Sequence, residues 1–271
     1  LNITGDIVIS DLALPVSATV DTDAFGRGGE KAIHSVFKII DRDSGSTGTG
    51  FLHKSGNVIT AEHVVRGELK PSLVLPDGRN IKARIVAKDR DLDLALLSPS
   101  SSFRDIDLPP ALEISNQSVI KIGNQISTWG FPAGYVGNLP MLSTGVISAI
   151  TKFRTESGQI VDQWVVNAAF NSGNSGGPLL HIETGRVIGV VSSKLAPISQ
   201  TSKTFLDALK NNRSGVHYTG ILPDGSSASL NESQIIAVIL EELRSQVQLV
   251  IGMAVFLNDL RGFLEKNGID P

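Results

Sequence analysis

Between about residue 33 and residue 192 the sequence is a succession of short apolar runs, each bounded by Gly, Pro, Asn, Asp or Ser. The runs cover residues 36–40, 50–53, 58–60, 73–75, 81–87, 94–97, 125–129, 145–150, 164–166, 178–181 and 187–191. Runs of this length are too short for helices that bury a face but suit strands, and their spacing predicts an all-β barrel or sandwich. Turn chemistry lies between them where hairpins need it, as in Lys54-Ser55-Gly56-Asn57, Pro76-Asp77-Gly78 and Glu183-Thr184-Gly185.

The chain ends differently. Ser229-x-x-Glu232 has the form of a capping box and precedes apolar residues at 236, 240, 243, 247 and 250, which predicts a helix of about five turns. A weaker helical pattern covers residues 203–211, and a last short helix is expected over 259–266, stopped by Asn267-Gly268. Residues 1–29 read as a leader without clear structure that ends in a flexible Gly26-Arg27-Gly28-Gly29. No repeat of fixed period and no low-complexity tract is visible.

Composition narrows the classes of partner. With 271 residues, 41% of them hydrophobic and 19% charged, the chain can bury one large β domain or two small ones. A formal charge of −3 without blocks of like charge argues against nucleic acid as a partner. The absence of cysteine removes disulfides and thiolate metal sites. The first 26 residues hold no Lys or Arg, so no secretory signal is visible, although one already removed leaves no trace and the compartment stays open. The most apolar segment, 235–257, is interrupted by Glu241, Glu242 and Arg244, which argues against a membrane span and for a soluble protein.

Chemistry is concentrated in Gly173-Asn174-Ser175-Gly176-Gly177-Pro178, where glycines surround a serine just before an apolar run. Glycines allow the backbone to bend so that successive N–H groups face one point, as a developing oxyanion requires; a plain Gly-rich turn has the same composition. A serine hydroxyl needs a base and a group that orients the base. Of the five histidines, His63 lies where the run 58–60 ends and a short turn begins, a mouth-of-barrel position, though a lone histidine is commonly structural. Asp89, Asp91 and Asp93 are the candidate acids, and Asp93 directly enters the apolar run 94–97, where a carboxylate needs a partner. The same D-x-D-x-D string has the start of a calcium loop, but Leu94 and Ser100 occupy the positions where that loop needs Gly and Glu.

Taken together, Thr49-Gly50-Phe51, Thr60-Ala61-Glu62-His63-Val64-Val65, Asp93-Leu94-Ala95-Leu96-Leu97 and the serine string resemble the successive signatures of chymotrypsin-like serine proteases, in the His, Asp, Ser order of that fold. Thr128-Trp129-Gly130-Phe131-Pro132-Ala133-Gly134, Ser143-Thr144-Gly145-Val146-Ile147-Ser148, Asn167-Ala168-Ala169-Phe170-Asn171 and Ile251-Gly252-Met253-Ala254-Val255 extend the resemblance to the HtrA/Deg branch. The likeness covers roughly residues 30–192 and 251–267. It departs from that branch in having no PDZ-like module after the protease region, a short loop at 41–49, and an insertion where the branch has a short loop.

The resemblance implies two six-stranded antiparallel β-barrels, one over residues 30–125 and one over 126–271, the second interrupted by a helical insertion at about 193–250 and closed by a C-terminal helix. It implies a serine endopeptidase with Ser175 as nucleophile, His63 as base and Asp93 as orienting acid. The N–H groups of Gly173 and Ser175 would form the oxyanion hole, and a specificity pocket would lie near Ala169, Phe170, Val190, Val191 and Ser192. No carboxylate is near that pocket, so small or aliphatic side chains are expected there. No metal or cofactor is expected. Protein or peptide substrates are the expected partners, with a regulatory protein or self-association through 193–250. Two alternatives share the motif. A G-x-S-x-G nucleophile elbow would make an esterase or lipase, but it should lead into a helix with acid and base after the serine. A protease-like binding module would retain the fold without activity.

Overall fold

The computed structural model describes residues 18–40, 47–67, 70–75, 78–100, 110–116, 120–155, 157–192, 200–221, 227–246 and 251–271. Residues 41–46 of the short loop expected at 41–49, most of the leader and parts of the insertion (193–199, 222–226 and 247–250) lie outside the described residues.

Strands β1 (Val36–Ile40), β2 (Thr47–Leu52), β3 (Val58–Thr60), β4 (Ser72–Val74), β5 (Asn80–Asp89) and β6 (Leu94–Pro99) close into a barrel in the order β1-β2-β3-β6-β5-β4. Strands β7 (Gln125–Gly130), β8 (Met141–Arg154), β9 (Ile160–Asn167), β10 (Pro178–His181), β11 (Arg186–Val191) and β14 (Ile251–Phe256) close into a second, in the order β10-β11-β14-β9-β8-β7. All pairings within both barrels are antiparallel. Read from its own first strand, each barrel has the same order. The all-β double barrel expected from the motif order is the fold.

Period-two patterning explains why several strands read as unbroken apolar runs. In β6, Ala95 and Leu97 join the first-barrel core with Phe37, Ile39, Leu52 and Val58, while Leu94 and Leu96 point the other way. There they meet Val36, Phe51 and Ile59 from the first barrel and Trp129, Leu180, Val187 and Val255 from the second. This seam is the largest of the three buried clusters, and the second-barrel core, built on Ile126, Ile147, Trp164, Leu179 and Ile188, lies beyond it.

Two helices complete the seam. The last, α4 (Leu257–Lys266), contributes Leu257, Leu260, Phe263 and Leu264, and stops at Gly268, whose φ of 73° suits glycine. The first is a correction to the leader expectation: Thr22–Ser35 is a helix, α1, and buries Ala32 and Ile33 in the same cluster. Asp21 caps it, its Oδ1 accepting from the N–H groups of Asp23 (3.0 Å) and Ala24 (3.2 Å). Gly28 and Gly29, which made this stretch look flexible, serve close packing instead. A Cβ on Gly28 would lie 2.2 Å from the carbonyl oxygen of Gly185. Lys31 then pairs with Glu113 at 3.2 Å, and Glu113 with Arg186 at 3.0 Å.

Residues Lys194–Leu249 form a separate compact unit. It contains α2 (Gln200–Asn211), a hairpin of β12 (His217–Ile221) and β13 (Ser227–Asn231), and α3 (Glu232–Gln246). The hairpin was absent from the sequence reading, and the cap of α3 differs from it. Asn231 and Gln234 form the box: Asn231 Oδ1 accepts from Gln234 N at 2.9 Å, and Gln234 Oε1 accepts from Asn231 N at 3.1 Å. Ser229 belongs to β13 instead. The described residues contain no helix long and apolar enough to cross a membrane.

Candidate active site

A single turn of 3-10 helix, Glu62–Val65, follows β3 and carries His63. Glu62 is buried and holds the turn by accepting from Arg66 Nε at 3.0 Å and Nη2 at 2.8 Å. The imidazole is partly exposed, with 31% of its side-chain surface open. Its Nδ1 lies 2.9 Å from both Oδ1 and Oδ2 of Asp93, and the His63 backbone N–H donates to Oδ1 at 3.1 Å. An ionised carboxylate only accepts, so Nδ1 is the nitrogen that donates, and in a neutral imidazole this leaves the lone pair on Nε2.

Of the three candidate acids, only Asp93 meets His63. Asp89 Oδ1 accepts from the N–H groups of Asp91 and Leu92, both at 3.1 Å, forming the turn that ends β5. Asp91 accepts from Ser157 Oγ at 2.7 Å. Asp93 follows in the left-handed region, φ 57°, which turns its carboxylate toward His63 before β6 begins. Burial alone would raise its pKa. Donors from His63 and Ser192 outweigh that, so the carboxyl is held below the usual carboxylate range and stays ionised. Ser192 Oγ donates to Asp93 Oδ2 at 2.5 Å.

Ser175 is buried at the turn before β10. The neighbouring Gly176 abuts the segment that leads to His63: a Cβ there would come within 2.2 Å of Thr60 Oγ1 and 2.8 Å of Ala61 N. The flanking peptides have fixed directions. Ser172 O accepts from Ala133 N at 2.6 Å, and Asn174 O from Gly177 N at 3.0 Å. In a planar trans peptide the N–H points opposite to the C=O, so these two bonds orient the N–H groups of Gly173 and Ser175. Among the described residues, neither N–H is taken by a backbone acceptor. Gly173 adopts φ 93°, and a Cβ on it would approach Phe131 O to 2.3 Å, so only glycine fits.

The residues assigned to the pocket are dispersed in role. Phe170 is buried, and its ring covers Gly252, where a Cβ would lie 2.3 Å from the ring. Ala169 is exposed. Val190 packs in the seam, Val191 in the second-barrel core, and the Ser192 hydroxyl is on Asp93. This stretch therefore has main chain, and not these three side chains, to offer a ligand. Neither the contact of Phe170 with Gly252 nor the bond from Ser192 to Asp93 was read from the sequence. Both depend on partners about 80 to 100 residues away, which no local string records.

Other histidines have other surroundings. His53 Nδ1 is 3.0 Å from Ser55 Oγ, and His181 Nδ1 is 3.2 Å from Thr184 Oγ1. No group of three or more metal-ligating side chains occurs among the described residues.

The model of the trypsin-like peptidase domain matches residues 48–190, more than half of the chain. A probable periplasmic serine endoprotease DegP-like from Halomonas elongata is 34% identical over 149 residues, which is 54% of this chain and 29% of that protein. The serine protease Do-like HtrA of Lactobacillus helveticus is 30% identical over 161 residues, 57% of this chain and 37% of that one. The matched region is thus about a third of each relative's length. Among solved structures, the active form of the Rv3671c protease from M. tuberculosis aligns over 96% of this chain and 92% of its own, with a TM-score of 0.58 at 21% identity, a likeness of fold. Fold, motif order and the family match agree, and the chain belongs to the trypsin-like peptidase domain family; over that region it is similar to the DegP-like and HtrA proteases.

Proposed function

We propose that this chain is a serine endopeptidase acting through Ser175, His63 and Asp93. The observation that carries the reading is the buried carboxylate of Asp93, which accepts a hydrogen bond from His63 Nδ1, together with the approach of Gly176, next to Ser175, to the segment that leads to His63. Ser175 Oγ attacks the scissile carbonyl while its proton passes to His63 Nε2. The N–H groups of Gly173 and Ser175 receive the developing oxyanion. His63 then gives the proton to the leaving amine, and water, activated in the same way, releases the acyl group. The elbow alternative finds no support, because the serine turn leads into strand β10 of an all-β fold.

The substrate reading is a protein or peptide with a small or aliphatic residue before the scissile bond, since the Phe170 ring occupies the space over Gly252 and none of the residues assigned to the pocket is an acid that could meet Lys or Arg. Cleavage of an unfolded protein, with product termini read by mass spectrometry, tests both parts. Ser175→Ala should remove all cuts. Phe170→Val should shift the tolerated side chain toward larger apolar residues. Frequent cuts after Lys or Arg, or cuts that survive Ser175→Ala, contradict the reading.

The same reading includes a regulatory protein or self-association through residues 193–250. Its support is the apolar surface of α3, where Ile236, Val238, Ile239 and Leu240 are each about half exposed. Specific activity that is constant across enzyme concentration, with a monomeric mass, removes self-association.

A further inference from the structure

Thr49 is a wholly buried residue of β2, in the first barrel, yet its hydroxyl and its backbone N–H bond to the second. Its Oγ1 donates to Gly173 O at 2.6 Å and accepts from Phe131 N at 3.1 Å. Its backbone N–H donates to Ser175 O at 2.8 Å. Its own carbonyl is held by Thr60 Oγ1 at 2.6 Å, three residues before His63. One residue thereby touches the nucleophile turn twice, the segment after β7 once, and the approach to the histidine once.

The consequence lies in the four carbonyls of the turn Ser172-Gly173-Asn174-Ser175. Ala133 holds the first and Gly177 the third, while Thr49 holds the second through its hydroxyl and the fourth through its N–H. The two oxyanion donors, Gly173 N and Ser175 N, lie on either side of the Gly173–Asn174 peptide. That peptide has Gly173 at one end, the residue with least torsional restraint, at φ 93°. The Thr49 hydroxyl fixes this middle plane and so the angle between the two donors.

Packing around the hydroxyl leaves little freedom. A Cβ on Gly130 would lie 3.0 Å from Thr49 Oγ1, and one on Gly177 would lie 3.3 Å from its Cγ2. A β-branched side chain is restricted at χ1, so the hydroxyl is aimed by its own methyl.

We propose that Thr49 is a positioning residue for hydrolysis at Ser175, acting through the Gly173–Asn174 peptide to align the two oxyanion donors. This rests on the endopeptidase reading. Loss of the hydroxyl should affect the transition state more than substrate binding, because the donors matter most once negative charge develops.

The test is a steady-state comparison of wild type, Thr49→Val, Thr49→Ser and Ser175→Ala on one peptide substrate, with rates expressed per folded chain. Thr49→Val should lower kcat by roughly tenfold or more with KM within about twofold, and Thr49→Ser, which keeps the hydroxyl, should recover most of kcat. If the valine protein does not fold, Thr49→Cys takes its place, since it keeps a side chain of similar size with only a weak donor. Wild-type kcat in the valine or cysteine variant, a loss in KM alone, or an equal loss in the serine variant overturns the assignment of Thr49. Wild type no more active than Ser175→Ala overturns the endopeptidase reading and this inference with it.

Discussion

Asp93 sits at φ 57°, where a residue with a Cβ is uncommon and where Asn and Asp are the best tolerated. Asp93→Asn therefore preserves the backbone while replacing an acceptor by an amide that can hold the wrong imidazole tautomer. Hydrolysis should fall on the order of 10⁴-fold, whereas Asp91→Asn, which alters contacts with Ser157 and Thr155 and none with His63, should change it by less than about threefold. The reverse ranking in a peptide assay would show that the orienting acid is misassigned. His53 gives a second expectation. Burial, then the charge of Lys54, lowers its pKa from 6.5 to about 4 against an opposing effect of Asp270, so the folded chain refuses a proton that the unfolded chain accepts. Stability should fall as pH drops from 6.5 toward 4, and His53→Gln should flatten that part of a urea-midpoint profile; an unchanged slope contradicts it. At this scale His63, Asp93 and Ser175 were legible because each lies in a short string whose residues also shape its turn. Thr49 as a hub was not legible, since its partners Phe131 and Gly173 are 82 and 124 residues away.

Most strands were readable from alternation and turn residues, and the structure extends several of them. The run 145–150 is the middle of the 14-residue β8, whose outer parts mix Met, Leu and Phe with Ser, Thr, Lys and Arg and give no continuous apolar run. Helix α1 was missed because Gly26, Gly28 and Gly29 count against a helix by propensity, and the packing that selects glycine involves Gly185. That contact sets the sign of a substitution. In an isolated helix Gly28→Ala would gain about 1 kcal/mol. Here the added carbon would meet the Gly185 backbone, and a net loss of about 1–3 kcal/mol is expected from overpacking. Urea unfolding decides the sign, and a stabilised variant would mean that α1 does not dock on Gly185.

The whole molecule repeats one strand order in two barrels, although no repeat is visible in the sequence. A barrel constrains which positions face inward but accepts many apolar side chains there, so topology can recur without residue identity. The double barrel was legible only through motif order. The seam between the barrels, where both faces of β6 are buried and α1 and α4 complete the packing, needed coordinates. The seam also carries the functional claim, because His63 and Asp93 come from one barrel and Ser175 from the other. The most direct test is intact-mass and peptide-level mass spectrometry of the folded chain after treatment with a fluorophosphonate. The account predicts one adduct per chain, on Ser175, absent in Ser175→Ala and formed at least about 100-fold more slowly in His63→Ala. A folded chain that takes no adduct, or takes it on another residue, would contradict the assignment of Ser175 as an activated nucleophile.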